Sequence, residues 1–427
     1  MIGAGVAGLF AGLFLARSGL RPVVLEQSYH AGGCLNGFTR KGFTFDAGDQ
    51  SFEELGIVFS LLADLGLRDR FRFKRSSYRL VAPRMDAVIR SIQSLEDAFT
   101  AAFPGDARGV ASLFGALRDA EALLTPVIGA DGPLSRRGLR RAAGLAGAGL
   151  HVLRHGGRLR RMMNTGARDL AEAHLGDPVL RDFVARIGYK NMSWAVFAGF
   201  LHCWVDDYWY PEGGLQSFCD GLAAALAERG GEVRYKTAAT RVLTERGRVV
   251  GVETARGERI ATRRIIAGGD AKRLFGEMLP AGPELAETRE AVLGAALSEA
   301  LTSVYLGVDA SPEQLAPVLK THHVFYFPDF DVHDPQEAED SSLHSGAWLE
   351  ISSPTLTDPS LAPPGKSVVV LQTMAPAAWL DQWGRRESPT KDAYRALKDR
   401  VAREMIGTAE GLIPDLSRKI LYRDVGT

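Results

Sequence analysis

The sequence predicts an α/β protein of two interleaved lobes, and three observations predict it. The glycine run Gly3-Ala-Gly5-Val-Ala-Gly8, with Gly12 four residues on, opens an apolar helical stretch from Leu9 to Ala16. Glu26 closes the β-branched run Pro22-Val-Val-Leu25, at ribose-binding distance from the glycines. Beyond residue 230 come an alternating stretch, a meander of short strands, longer strands with loops and a closing helix, so nucleotide-type and other segments interleave. The first two features form a turn–helix–strand unit suited to a dinucleotide. Gly3 permits a tight turn, Gly5 lets backbone approach a pyrophosphate, and Gly8 lets the helix lie close on the sheet. Val6 and Ala7 open the helix, whose N-terminus attracts phosphate charge. Glu26 is placed to accept hydrogen bonds from a ribose diol.

Gly32-Gly33 and the segment Gly42-Phe-Thr-Phe-Asp46-Ala-Gly48 come next, a second glycine pair followed by a strand ending in an acid. From Arg181 to Tyr210 the chain is rich in aromatic residues, among them Phe183, Tyr189, Trp194, Phe197, Phe200, Trp204 and Trp209, and it runs into Tyr210-Pro-Glu212-Gly213-Gly214. A helix is expected from Leu215 to Arg229. The stretches Glu232 to Thr237, Arg241 to Thr244 and Val249 to Thr254 read as strands of a meander. Arg264-Ile-Ile-Ala-Gly268-Gly-Asp270 looks like a short buried strand returning to the nucleotide site. Later strands are expected at Leu301–Leu306, His323–Phe327, Ala347–Ile351 and Ser367–Leu371, with a closing helix from Lys391 to Ile406.

Composition narrows the function. Fifty-one basic and fifty-one acidic residues cancel, so there is no global footprint for nucleic acid. Cys34, Cys203 and Cys219 are odd in number and far apart, which argues against a disulfide framework, and no spacing suggests a metal site. A cytoplasmic location is the default. No apolar run reaches the roughly 18 residues of a membrane-spanning helix. Charge is nevertheless uneven. From Gly132 to Arg168 there is no Asp or Glu, while nine arginines (136, 137, 140, 141, 154, 158, 160, 161 and 168) alternate with leucines and methionines. Such a basic amphipathic segment can lie on anionic lipid, so peripheral membrane association is expected. A solvated helical pair is the plainer alternative.

Taken together, Gly3–Gly8, Glu26, Gly32-Gly33, Gly42–Gly48, Tyr210–Gly214 and the pair Ser352-Ser-Pro with Asp358-Pro-Ser-Leu-Ala-Pro-Pro-Gly365 resemble the FAD-dependent polyene desaturases and isomerases, with phytoene desaturase, carotenoid isomerase and retinol saturase as types. The first four motifs are shared with amine and porphyrinogen oxidases; the last two narrow the resemblance. It implies an FAD/NAD(P)-binding Rossmann-like domain of the glutathione-reductase type, with a discontinuous mixed-sheet substrate domain and a helical lid. The expected division is 1–80 with 208–290 for the cofactor, 81–207 for the lid, and 291–427 for the substrate sheet.

By the same resemblance the cofactor is FAD. Its expected contacts are Gly3, Gly5, Val6, Ala7, Gly8, Glu26, Gly32, Gly33, Cys34, Asp46, Gly48, Val242 and Gly268. Cys34 stands where many relatives carry Arg or Ser, and is expected to pack rather than react. Trp204, Tyr210, Gly213 and Gly214 are expected near an apolar polyene, and Glu212 is a weak candidate for moving a proton. Only Met1 and Ile2 precede Gly3, and the chain stops at Thr427 where the family continues, so both ends are expected to be cut. The implied chemistry is hydride exchange between flavin and carbon. An amine or porphyrinogen oxidase, a saturase on reduced flavin, and a remnant without flavin are the competing readings.

Overall fold

The computed structural model describes residues 1–48, 50–127, 138–187, 192–297, 300–330, 346–375 and 391–426. The class is α/β, as the sequence predicts. The opening helix, Val6–Arg17, buries Leu9, Phe10 and Leu13. It packs against the helix Gly214–Glu228 through Leu222 and Leu226. Two small glycine-containing helices thus share one apolar seam, although some 200 residues separate them in sequence.

Beside that seam runs a short parallel sheet. Val23–Leu25 pairs with Glu232–Arg234 on one side. On the other, Ile2 bridges both Leu25 and Ala267. Two expectations change here. Glu232 to Thr237 joins this parallel sheet rather than the meander, which is made of Ala239–Glu245, Arg248–Thr254 and Arg259–Ala261. Arg264 to Asp270 forms only the single bridge at Ala267, and Ile266 is exposed. Its apolar residues have a neighbour on one side only, so the buried strand expected there does not form.

A larger, seven-stranded sheet gathers strands from both early and late parts of the chain. Its strand order is Ile420–Gly426, Ala300–Val308, Ser367–Ala375, Leu349–Ser352, His323–Tyr326, Tyr78–Ala82 and Met85–Ile89. The last two strands come from the region expected to begin a helical lid, and the boundary expected at residue 80 falls inside the first of them. The cause is visible in the side chains: Tyr78, Leu80 and Ala82 alternate into the core, and Tyr78–Ala82 pairs in parallel with His323–Tyr326. One face of the sheet packs Val304, Ile351 and Leu371 against Val401 and Met405 of the helix Lys391–Ala409.

The opposite face meets a helical cluster: Ile92–Ala102, Ala107–Leu124, Gly138–Asn164, Ala167–His174, Pro178–Arg186 and Trp194–Asp206. Local sequence explains several of its ends. Ser91 and Ser94 form a reciprocal capping box, and the Asp177 carboxylate accepts from the amides of Val179 and Leu180. Phe99, Phe114, Phe183 and Phe197 fill the interior with almost no exposure. Each such ring stabilises the fold by roughly 1.5–3 kcal/mol relative to leaving it in water.

Candidate cofactor and active site

A cavity of about 780 Å³ opens between the Val6–Arg17 helix and the segments Ala238–Ala239 and Ala267–Met278. Gly3, Gly5, Val6, Ala7, Glu26, Gly32, Gly33, Cys34 and Gly268 all line it. Its floor is backbone. Gly3 has φ +93°, which only glycine adopts without strain, and a Cβ on Gly8 would lie 2.2 Å from the Gly3 carbonyl oxygen. Gly8 therefore shapes the floor from behind rather than lining it. The helix starts at Gly5 with no side-chain cap, so its first amides stay available to a ligand.

Glu26 is fixed by two backbone donors. The Ala4 N–H donates to its Oε2 at 2.8 Å, and the Ser28 N–H donates to its Oε1 at 2.8 Å. Each oxygen keeps a lone pair for a ribose diol. Nearby, the His30 Nδ1 is buried at the cavity wall with no hydrogen-bond partner among the described residues. Arg273 stands at the rim and donates to Gln27 at 3.2 Å. A glycine floor, an uncapped helix end, a held carboxylate and an orphaned ring nitrogen fit the adenosine diphosphate half of a dinucleotide. Neither His30 nor Arg273 carries a motif signal; both become visible only when the chain is folded.

Besides Gly8, three expected contacts, Gly48, Val242 and Asp46, lie elsewhere. Gly48 stands behind the wall, where a Cβ would come within 2.2 Å of the Cys34 carbonyl oxygen. Cys34 is exposed on the cavity instead of packed in a core. Val242 pairs with Val252 inside the meander, because the chain meets the cavity three residues earlier, at Ala238–Ala239. The Asp46 side chain turns away from the cavity. It accepts the Tyr210 hydroxyl at 2.6 Å and the Leu215 N–H at 2.8 Å, at the start of the Gly214–Glu228 helix. Burial pushes its carboxyl up to about 6 despite those two donors. Burial and the neighbouring Asp46 likewise push the Tyr210 hydroxyl up.

The residues expected near substrate divide. Tyr210 is buried by its bond to Asp46 and packs edge-on against His322, with ring centroids 4.8 Å apart. The Gly213 N–H donates to Asp358 at 2.7 Å, and Leu361 comes within 3.5 Å of the position a Gly214 Cβ would take. The two narrowing motifs are therefore one bonded unit across 145 residues of sequence. Trp204 lies deeper, stacked on Phe325 at 4.2 Å. Glu212 is not brought in. It is exposed, and its carboxylate faces Lys74 at 3.7 Å, because the left-handed turn at Gly213 carries the chain inward only after Glu212. Tyr189, from the aromatic run, lies outside the described residues. The thiols of Cys203 and Cys219 are pushed up to about 12 by burial, which makes them inert.

Known proteins place this geometry. A prolycopene isomerase of Daucus carota is 25% identical over 446 residues, covering 100% of this chain and 68% of that protein. An all-trans-retinol 13,14-reductase of Danio rerio is 22% identical over 460 residues, covering 100% and 74%. Among solved structures, an oxidoreductase from Methanosarcina mazei superposes with a TM-score of 0.66 at 15% identity, over 99% of this chain and 86% of that one. Residues 6–418 match the family described as flavin containing amine oxidoreductase. A flavin carried on a dinucleotide site is FAD, and this chain, an FAD-dependent oxidoreductase, belongs to that family.

Proposed function

We propose that this chain acts on carbon–carbon bonds of a long apolar polyene of carotenoid or retinoid type, by desaturation or isomerisation. The carrying observation is the bonded unit of Tyr210–Gly214 with Asp358–Gly365, since these are the segments that set the polyene enzymes apart from their amine-oxidising kin. The names of the relatives point the same way. When bound, flavin supplies the acceptor or donor of hydride. The protein supplies the rest: a glycine cradle for the pyrophosphate, Glu26 for the ribose, and a dry aromatic interior in which Trp204, Phe325 and Tyr78 stack with centroids 4.2–5.6 Å apart. The cofactor lobe takes in the segments before Tyr78 and from Tyr208 to about 297, and the substrate lobe the remainder.

The Gly138–Asn164 helix supports supply of that substrate from a membrane. Leu139, Leu150 and Leu153 are 89%, 68% and 83% exposed. Arg140, Arg154, Arg158, Arg160 and Arg161 stand exposed among them. The stretch 132–137 of the same basic segment lies outside the described residues. Leucines in the acyl boundary and arginines at the headgroups form a peripheral contact. No helix among the described residues is long and apolar enough to cross a membrane.

The test is a pair of anaerobic incubations of the flavin-loaded protein, one with acyclic and cyclic polyenes and one with primary amines, each with oxidised and with dithionite-reduced flavin. Altered polyene, with amines untouched, is the expected result. Bleaching of the flavin by an amine, with polyenes returned unchanged, favours the amine oxidase instead.

A further inference from the structure

The sheet face turned towards the helical cluster carries a buried titratable chain that the cofactor site does not use. In one row across the strands, Ser303 lies opposite Gln372, Gln372 opposite Glu350, and Glu350 opposite Phe325. The intervening residues Leu371 and Ile351 point to the other face and fill its core. Glu350 therefore sits mid-sheet on the face that bears the stacked aromatics. Gln372 ties this row to the cofactor wall, because its amide donates to the Gly48 carbonyl at 3.0 Å, and Gly48 backs Cys34.

Glu350 is held from one side only. Its Oε1 lies 3.1 Å from His323 Nδ1, and His323 Nε2 lies 2.7 Å from the Ser51 hydroxyl. The His323 ring has no exposure and is stacked on Tyr78 at 4.8 Å and on His322 at 4.2 Å, with Tyr208 edge-on at 5.3 Å. Burial pushes its pKa down to about 3, so the ring is neutral and orients Glu350 through Nδ1 while Ser51 meets its Nε2. The second oxygen of Glu350 has no partner among the described residues, and 16% of the side chain stays accessible although burial pushes its carboxyl up to about 7. A carboxyl that is deep, oriented by one neighbour and open at the other oxygen is placed to exchange a proton with a ligand. The titratable groups around it are His323 itself, with His322, Tyr78 and Tyr208 behind that ring; across the neighbouring strand stands the neutral Gln372.

We propose that Glu350 is the acid–base residue of the polyene reaction, with His323 and Ser51 as positioning residues. The assignment rests on the polyene reading above. In desaturation, Glu350 Oε2 would take the proton from one carbon, and bound flavin would supply the acceptor for the hydride of the neighbouring carbon. The electron pair of the first C–H bond becomes the new π bond. In the reverse direction Glu350 returns the proton.

The experiment compares flavin-loaded wild type with Glu350→Gln, Glu350→Asp and Ser51→Ala. General acid–base catalysis contributes typically 10²–10⁴-fold, so E350Q is expected to lower kcat at least about 100-fold, with flavin content and KM kept. The limb of the pH profile near 7 should vanish in E350Q, return in part in E350D, and shift in S51A. Wild type should exchange substrate hydrogen with D₂O, and E350Q should not. The carboxyl infrared band of the flavin-free protein should lose a group titrating near pH 7 in E350Q, a readout that needs no turnover. An active wild type whose E350Q variant keeps its rate and its limb overturns the assignment alone. A wild type inert to every polyene overturns the reading beneath it and the assignment together.

Discussion

The cofactor wall and the sheet face around Glu350 do comparable work with opposite materials. The wall is made of backbone: Gly3, Gly5, Gly32 and Gly33 bring main-chain groups to the cavity, and the Glu26 carboxylate completes it. The sheet face is made of side chains, Ser51, His323, Glu350 and Gln372, gathered from four strands or loops more than 300 residues apart at the extremes. Backbone sites tolerate almost no added atom. Side-chain sites tolerate shape changes but depend on burial, orientation and protonation. The two regions should therefore fail differently when perturbed.

The largest effect is expected where they join. Asp46→Ala strands the buried Tyr210 hydroxyl and the Leu215 N–H together. Each orphaned group costs about 1–3 kcal/mol, so urea denaturation should show a loss of roughly 3–5 kcal/mol. A loss under 1 kcal/mol breaks the claim that Asp46 couples its own strand, Phe43–Asp46, to the Gly214–Glu228 helix. Next comes Gly8→Ala, whose new methyl meets the Gly3 carbonyl oxygen at 2.2 Å. It should cost about 1–3 kcal/mol and weaken FAD binding roughly tenfold or more. Gly147→Ala, where nothing lies within 4 Å, is the control. There alanine should stabilise by about 0.5–1 kcal/mol through helix propensity alone, and equal effects at both sites would deny the wall its special packing.

A third, smaller effect separates the regions by pH. Asp46 and Glu350 have folded-state values raised to about 6 and about 7. Because the folded protein holds these protons more tightly, their contribution is full below the ordinary carboxylate range and is lost as pH rises through those values. Stability should fall between the ordinary values, 3.8 and 4.5, and the raised ones, about 6 and about 7, and E350Q should remove the upper part of that fall, on the order of 1–3 kcal/mol. Identical slopes for wild type and variant contradict the buried carboxyl. The smallest effect on stability belongs to Leu150→Glu with Leu153→Glu. Both sites are exposed, so the midpoint should move by no more than about 0.5 kcal/mol. Sedimentation with anionic vesicles should nonetheless drop about tenfold, and unchanged sedimentation removes the membrane contact.

The same contrast explains what the sequence disclosed. Glycines at fixed intervals followed by an acid are a local pattern, so the wall and its helix were legible from Gly3 to Gly33. The strands from Ala300 to Ala375 were legible because short apolar, β-branched runs such as Val368–Leu371 are local too, and these strands are buried on both faces. Strand partners were not: nothing near Tyr78 announces His323 as its neighbour, and the lid boundary was misplaced for that reason. His30, Arg273 and Glu350 carry no motif, since their meaning comes from an orphaned atom or a distant partner. Glu212 misled in the reverse sense, for a position beside a glycine pair says nothing about which way the turn points its side chain.

The most direct test of the central claim is a titration of flavin-free protein with FAD, followed by quenching of flavin fluorescence, with ADP and FMN as competitors. A cavity floored by Gly3, Gly5 and Gly33 and held by Glu26 should bind one FAD per chain and release it to ADP, while FMN competes poorly because it lacks the adenosine half. Competition by FMN and indifference to ADP would contradict the site; so would an FAD affinity unchanged by Glu26→Ala.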